Sequence, residues 1–401
     1  MLEYFVDKFK IARKLNRIYR NKKLSLLQNK PKSFPVRIGF IVQLPAIWDK
    51  QVKIYEEAKA RKDVEAFLFV VPMPKWDDMS IENNYEGNFF IENYPEAIRI
   101  HGNDGRIIDL RDYQLDYLFY PRPYDHYLPK PVRSRETMKY LKCCYIPYAF
   151  TASDNFNQGN IYHPFFDDIY YCFPAMPHVR QQMADFRKHE LEKGIQKIAY
   201  LGYPGLETYL AMGETKKTDV VTWTPRWSYD EKLGGSHFLE YGNSFLKLCE
   251  SRNESFLFRP HPLMFDELIK KNLLTKEEKE AYITALEQNR VQMDFKNPID
   301  VVLKKTDVLI SDFSSLLGPF FLTGRPIIYC DSGRIKFNNV YKELVNYMYV
   351  AHEWDDVLKY YKAIVEEKND YLHDERISFI QEKFGSESGA SKRIIDALVN
   401  D

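Results

Sequence analysis

Val308-Leu309-Ile310-Ser311-Asp312-Phe313-Ser314-Ser315-Leu316 holds the clue to how this chain folds. Three apolar residues, two of them β-branched, run into a short string of hydroxyls and a carboxylate, and an apolar stretch follows. A buried strand that feeds directly into a helix reads this way, as in a parallel sheet covered on both faces. Ser and Asp are favoured at helix N-caps. A helix start also presents unpaired N–H groups and about half a positive charge, which suits a diphosphate. Ser311, Asp312, Ser314 and Ser315 are therefore candidate donor-binding residues as well as caps.

Moving outward, the strand–helix alternation repeats. Strands are predicted at 197–202, 219–224, 255–259, 308–310 and 326–330, with helices at 237–251, 265–272, 275–287, 316–322, 355–368 and 391–399. The first half reads in the same way, with strands at 36–44, 66–73, 117–120 and 142–150 and a helix at 51–61. Ligands of such sheets collect at the carboxyl ends of the strands. The expected fold is α/β and GT-B-like, with two doubly wound Rossmann-type domains facing a cleft. Residues 1–32 form a basic amphipathic helical segment and 33–212 an N-terminal Rossmann-like domain. Residues 213–401 form a C-terminal Rossmann-like domain with the closing helices, and the two domains join near 210–218.

Three more strand ends carry phosphate chemistry. Phe258-Arg259-Pro260-His261-Pro262 sets a guanidinium and an imidazole between prolines that stiffen the loop, and Arg can grip phosphate oxygens through two N–H groups. Thr222-Trp223-Thr224-Pro225-Arg226-Trp227 offers Thr224 and Arg226. Gly324–Asp331 ends on Asp331, placed to accept from a ribose hydroxyl.

Composition excludes several classes. A chain of 401 residues suits two cores. Lys and Arg balance Asp and Glu at 57 each, so nothing points to nucleic acid. Five Cys, an odd count with no CxxC pair, argue against a disulfide framework and for a reducing compartment. No Gly-x-Gly-x-x-Gly follows the first strand, and no Gly-Lys-Ser/Thr loop, HExxH or DxD occurs. The expectation is no cofactor and no metal. Without a long apolar run or a signal-peptide core, a cytoplasmic location is expected.

The first 32 residues differ from the rest. Ten Lys/Arg stand against Glu3 and Asp7. Leu2, Phe5, Phe9, Ala12 and Tyr19 share one helical face, and Arg13, Lys14, Arg17 and Arg20 gather on another. Such a helix suits an anionic membrane surface, or packs on its domain with the charges solvated. The first case makes the chain peripheral on the inner face of the membrane.

The ordered set resembles one family. Thr224-Pro225-Arg226-Trp227, Arg259-Pro260-His261-Pro262, Ile310–Ser315 and Gly324–Tyr329, followed by Phe384-Gly385 and Gly389–Ile395, are similar to the CDP-glycerol glycerophosphotransferases. That family makes teichoic acids and related phosphate-linked surface polymers. The resemblance spans residues 195–396, with Gly202-Tyr203-Pro204 matching the strand before the interdomain connection. It implies metal-independent transfer of glycerol phosphate, or another polyol phosphate, from a CDP-linked donor to a hydroxyl of a saccharide or lipid-linked acceptor. It also implies phosphate contacts for His261 and Arg259 and a diphosphate site at Ser314 and Ser315. Thr224 and Arg226 correspond to a family threonine and arginine in permuted order. The family's acceptor-side Trp-His-Gly stretch has no counterpart, since Cys144–Phe150 contains no His. His163, in Tyr162-His163-Pro164, is the first candidate for the base, ahead of His126 and His101. Two rival readings stay open: a GT-B glycosyltransferase using a nucleotide-sugar, and a non-catalytic nucleotide-binding subunit that docks on a membrane assembly.

Overall fold

The computed structural model describes residues 2–73, 85–101, 106–150, 161–213, 219–229, 235–252, 254–295 and 297–401. The expected join at 210–218 therefore lies partly outside the described residues. The chain divides into two compact units. The first comprises Met1–Phe150, the described part of 155–207 and Glu387–Asp401, and the second Thr208–Ser386.

The first unit is built on a seven-stranded parallel sheet. Its strands are β1 (Val36–Val42), β2 (Val64–Val70), β3 (Ile98–Arg99), β4 (Tyr117–Tyr120), β5 (Lys142–Tyr145), β6 (Tyr171–Cys172) and β7 (Lys197–Ile198). They are ordered β3-β2-β1-β4-β5-β6-β7. β4 and β5 are buried along their whole length, and six of the seven β1 residues are buried, as expected of parallel strands covered on both faces.

The second unit has a six-stranded parallel sheet of β8 (Val220–Thr224), β9 (Ser255–Phe258), β10 (Gln292–Met293), β11 (Val308–Ser311), β12 (Ile327–Cys330) and β13 (Tyr349–Ala351). The order is β10-β9-β8-β11-β12-β13. Aromatic rings fill the core beside it. Trp223 lies 4.7 Å from Phe245 and 5.5 Å from Phe258 between ring centroids, and Phe238 stands edge-on to Tyr282 at 5.0 Å. Each unit is thus doubly wound, and the strand order reverses between β1 and β4 in one and between β8 and β11 in the other. These reversals are where such sheets take ligands.

The closing helix Ala390–Val399, expected with the C-terminal domain, belongs to the first unit and packs on the helix Val52–Ala60. Its start is held by Glu207, whose carboxylate accepts from Gly389 N and Ser391 N, each at 2.9 Å, and from the Ser391 hydroxyl at 2.6 Å. Gly202, at φ +89°, leaves no room for a side chain. A Cβ there would stand 2.7 Å from the Arg393 guanidinium and 2.9 Å from Ala390 Cβ. At the other end, Asp401 accepts from Tyr117 OH and Lys142 Nζ, both at 2.6 Å, and pairs with Lys197. These anchors lie in the first unit, and no local sequence pattern announces them.

The N-terminal segment is one helix, Leu2–Gln28. The side chains of residues 1–10, 12 and 13 lie outside the described residues, and with them most of the expected apolar face. Arg17 and Arg20 are not solvated charges. Arg17 pairs with Glu190 at 2.6 Å, and Arg20 with Asp168 at 2.6 Å and Asp167 at 3.1 Å. No described helix is long and apolar enough to cross a membrane. All five cysteines are free and buried.

Candidate functional site: the β8/β11 strand ends

In the second unit, β8 and β11 pair with Thr224 opposite Ser311, and both chains leave the sheet just beyond. The two hydroxyls lock the strand ends together, Thr224 Oγ1 donating to Ser311 Oγ at 2.7 Å. The Ser311 hydroxyl lies 2.6 Å from the Asp312 carbonyl and 3.2 Å from the Ser314 hydroxyl. Asp312 is 1% exposed, and its carboxylate organises the loops around it. It accepts from Arg226 N at 2.8 Å and His237 N at 3.2 Å, and its other oxygen meets His237 Nδ1 at 2.6 Å. Thr224, Ser311 and Asp312 were expected to hold a donor directly. In the structure they form the floor beneath the open residues.

The helix after this loop is shorter than expected, Leu317–Phe321, and begins without a side-chain cap. Ser314 instead makes a local turn, accepting from Leu316 N at 3.2 Å. One turn of helix carries little of the charge a long helix concentrates at its start. Donor binding here would depend on side chains and loop N–H groups more than on a dipole. Ser315 is exposed, and Ser314 and Phe313 are half-buried.

Arg226 is half-buried, one guanidinium nitrogen donating to the Phe313 carbonyl at 2.8 Å and the group lying 5.1 Å from the Phe313 ring centroid. Across from it, His261 follows β9 with its N–H donating to the Pro225 carbonyl at 3.3 Å. His261 Nδ1 accepts from Leu263 N at 3.2 Å, so in the neutral ring the proton sits on Nε2 and that nitrogen is a donor. The residue is exposed at its edge, but its surroundings strip hydration from the ring. That desolvation, followed by the Arg226 charge, pushes its pKa down to about 4. Near neutral pH the ring is therefore an uncharged N–H donor beside a cation.

Arg259 is committed elsewhere. It lies 3.0 Å from Asp294 Oδ1 and donates to the Asn297 carbonyl at 2.9 Å. Burial lowers its pKa, and Asp294 works against that shift. Asp331 sits beyond β12, next to β11, and accepts from Gly333 N at 2.9 Å, with His352 Nδ1 3.9 Å away. Arg325, in the Gly-Arg-Pro stretch before β12, latches the Leu303 and Thr306 carbonyls at 2.8 and 2.6 Å at the opposite end of the sheet.

Sequence reasoning missed His237. Its ring is buried and stacks on Tyr241 at 4.7 Å. Burial acts to lower its pKa, but the hydrogen bond and charge of Asp312 outweigh that and leave it raised. The two residues are 75 apart in sequence, and no spacing rule links them.

His163 belongs to the first unit. It caps the short 3-10 turn Pro164–Asp167, its Nδ1 accepting from Phe165 N at 3.2 Å. Where β1 and β4 end, that unit gathers a different set. Arg122 donates to Gln43 Oε1 at 3.1 Å, Gln51 donates to the Tyr120 carbonyl at 2.9 Å, and the Tyr124 and Tyr148 hydroxyls meet at 2.9 Å.

The second, doubly wound unit thus presents Arg226, a neutral His261 and loop hydroxyls at its strand ends, a donor set suited in chemistry to an anion. Residues 205–400 match the model of the family described as CDP-Glycerol:Poly(glycerophosphate) glycerophosphotransferase. The matched stretch, most of it in the second unit, is similar to this family's domain. No curated protein matches it. Among solved structures, the wall teichoic acid polymerase TagF is similar at 16% identity and TM-score 0.53, covering 100% of this chain and 98% of that one. The UDP-GlcNAc 2-epimerase of Neisseria meningitidis is similar at 11% identity and TM-score 0.57, covering 91% and 100%. That of Methanocaldococcus jannaschii is similar at 12% identity and TM-score 0.51, covering 91% and 100%. At these identities the likeness establishes the fold, which is GT-B-like.

Proposed function

We propose that this protein transfers glycerol phosphate, or another polyol phosphate, from a CDP-linked donor to an acceptor hydroxyl in the assembly of a teichoic-acid or capsule-like surface polymer. The observation that carries the reading is His261. Within the stretch matched to the family, its ring is a neutral donor at Nε2 beside the Arg226 charge, in the same unit as the exposed Ser315. A solved TagF variant soaked with CDPG has the same fold, at 15% identity.

In the proposed reaction the acceptor oxygen attacks the phosphorus nearest the polyol, the bond from that phosphorus to the bridging oxygen breaks, and CMP leaves. Arg226, His261, Ser314 and Ser315 bear the charge that builds on the departing phosphate, the kind of preorganised donation that dominates such catalysis. Arg259 and Asp331 join as donor residues through their strand ends, Arg259 holding Asn297 and Asp331 facing the ribose. The proton goes to His163, whose ring must turn from Phe165 N to offer a lone pair. No metal is required. The setting is the inner face of a cell membrane, with a saccharide or lipid-linked acceptor.

The test is CMP release from CDP-glycerol by the full chain. His261→Ala should cut turnover by at least ~100-fold, the scale of losing one preorganised donor at a developing charge. Its circular dichroism should be unchanged, because an exposed loop residue carries no core. Near-normal turnover in folded His261→Ala, or release of UDP from a UDP-sugar with no CMP from any CDP donor, would refute the reading. His163→Gln keeps a capping acceptor for Phe165 N. It should lose turnover while binding CDP normally, and full turnover would remove His163 as the base.

A further inference from the structure

Two histidines stand around the β8/β11 strand ends in opposite states. His261 is an uncharged ring, and a neutral imidazole holds its remaining proton too tightly to hand it over near neutral pH. His237 is set up differently. It occupies the N-cap position of the helix Phe238–Glu250, and one carboxylate binds both its main chain and its ring. Asp312 accepts from His237 N at 3.2 Å and meets Nδ1 at 2.6 Å, while also holding Arg226 N at 2.8 Å. A carboxylate on Nδ1 fixes the orientation of an imidazole and favours its protonated form.

The surroundings of the ring act in the same direction. One face stacks on Tyr241, with centroids 4.7 Å apart and the planes 16° from parallel. With Nδ1 on Asp312 and that face covered, the edge carrying Nε2 is left to supply the 10% of the side chain that reaches solvent. Burial opposes the charged ring, but Asp312 at the end of β11, Glu240 on its own helix and Asp331 beyond β12 outweigh it. The Tyr241 and Tyr229 phenols are pushed up by burial and stay uncharged. Of the nearby guanidinium groups, that of Arg226 is bound to the Phe313 carbonyl. That of Arg334 lies along the loop, 3.5 Å from where a Cβ at Gly235 would stand. Two titratable groups whose environments push them apart divide the work of binding and proton transfer between them.

We infer that His237 is a further catalytic residue of this site: its Nε2–H contacts the phosphate of the departing CMP and gives it a proton. As the bond from the attacked phosphorus to the bridging oxygen breaks, its electron pair goes to that oxygen and the Nε2 proton joins it. CMP leaves with its phosphate singly protonated, and the neutral ring, still held by Asp312, regains a proton from water. The acceptor's own proton leaves separately to its base. Arg226 and His261 bind the phosphate, and His237 protonates it. The inference rests on the transfer proposed above.

The experiment follows CMP release from CDP-glycerol by the full chain across pH. Beside it runs a donor in which sulfur replaces the oxygen bridging the two phosphorus atoms, because sulfur departs without needing a proton. With the oxygen donor, kcat should fall as pH rises above about 6.5, through the raised pKa of His237. With the sulfur donor that fall should be absent. His237→Gln still offers N–H groups to Asp312. It should lower kcat on the oxygen donor by at least ~100-fold, the lower end of what a positioned acid contributes, with KM and CDP binding unchanged. The same variant should turn over the sulfur donor at nearly the unmodified rate, whereas a merely structural role would depress both donors alike. Equal losses on both donors, full kcat on the oxygen donor, or a loss confined to KM would overturn the inference. So would the same alkaline fall with both donors in unmodified protein, a comparison that decides the matter even if His237→Gln does not fold. Absence of CMP release from every CDP donor would refute the transfer itself and this inference with it. CMP release with an alkaline fall that ignores the sulfur substitution would refute this inference alone.

Discussion

The two sheets share one strand order around their reversal points but finish their central strands differently. At the ends of β8 and β11, two hydroxyls and a buried carboxylate are spent on one another, on His237 and on the Arg226 backbone. The Arg226 guanidinium is held by the Phe313 carbonyl and ring, and His261 and Ser315 are exposed. At the ends of β1 and β4, the cation Arg122 is itself folded inward onto Gln43, and tyrosines crowd the rim. The same topology therefore yields the proposed anion site in one unit and a less charged, aromatic surface in the other. Topology locates a site, and the residues that finish the strands decide its chemistry.

The strongest way to break this comparison is to remove Asp312. Asp312→Ala leaves Arg226 N and the His237 ring without their acceptor. It should destabilise the second unit by roughly 3 kcal/mol or more in urea unfolding, the usual scale for breaking a buried charged pair. CDP should then give no thermal shift. Arg122→Ala in the first unit should leave the CDP shift intact, since Arg122 is not part of the donor site. If both variants bind CDP equally well, the assignment of chemistry to one sheet fails.

Next in size is a contrast in pH dependence between two histidines of the same unit. His237 has a raised pKa in the fold, so the native chain keeps a proton the unfolded chain has released. Its stabilising pair with Asp312 is fully present below pH about 6.5 and is lost as pH rises through the folded value. His261, at about 4, does the reverse: the unfolded chain protonates first, so stability falls as pH drops from about 6.5 toward 4. His237→Gln should flatten the alkaline side of the stability profile and His261→Gln the acid side. Swapped effects would show that the two environments are misassigned.

The smallest effect belongs to Ser314. Ser314→Ala removes the turn that accepts from Leu316 N and should cost ~1 kcal/mol of stability, a typical capping loss. Ser315→Ala should cost less stability but more turnover, because Ser315 is exposed and supports no neighbour. The ratio of the two effects in each variant separates the floor of the site from its open face.

Much of this was legible from local pattern. Buried strands such as β1, β8 and β11 announce themselves as apolar β-branched runs ending in polar residues, and the strand-end motifs supplied His261, Arg226 and Ser315 as the candidates on which the proposal rests. Of the two- and three-residue strands, β7 was legible within the longer stretch 197–202, whereas β3, β6, β10 and β13 were not, because so few residues carry no periodicity. The helix after Ser315 was overestimated, since capping residues mark where a helix starts and say nothing about how long it runs. The pairing of Arg259 with Asp294 was not legible either, because Asp294 lies on a separate strand connection.

The sequence alone determined that the chain is α/β, doubly wound and family-like in its second half, because those properties follow from hydrophobic period and local residue type. Only the tertiary structure decided which polar residues are available. A buried charge must find a compensating partner wherever the fold supplies one, and those partners came from far along the chain: Asp312 for His237, Glu190 for Arg17, Glu207 for the start of the closing helix. The same requirement drew Glu387–Asp401 back to the first unit, where Lys142 and Tyr117 meet Asp401. Period is a local property of a sequence, whereas charge compensation is settled only when distant segments are brought together.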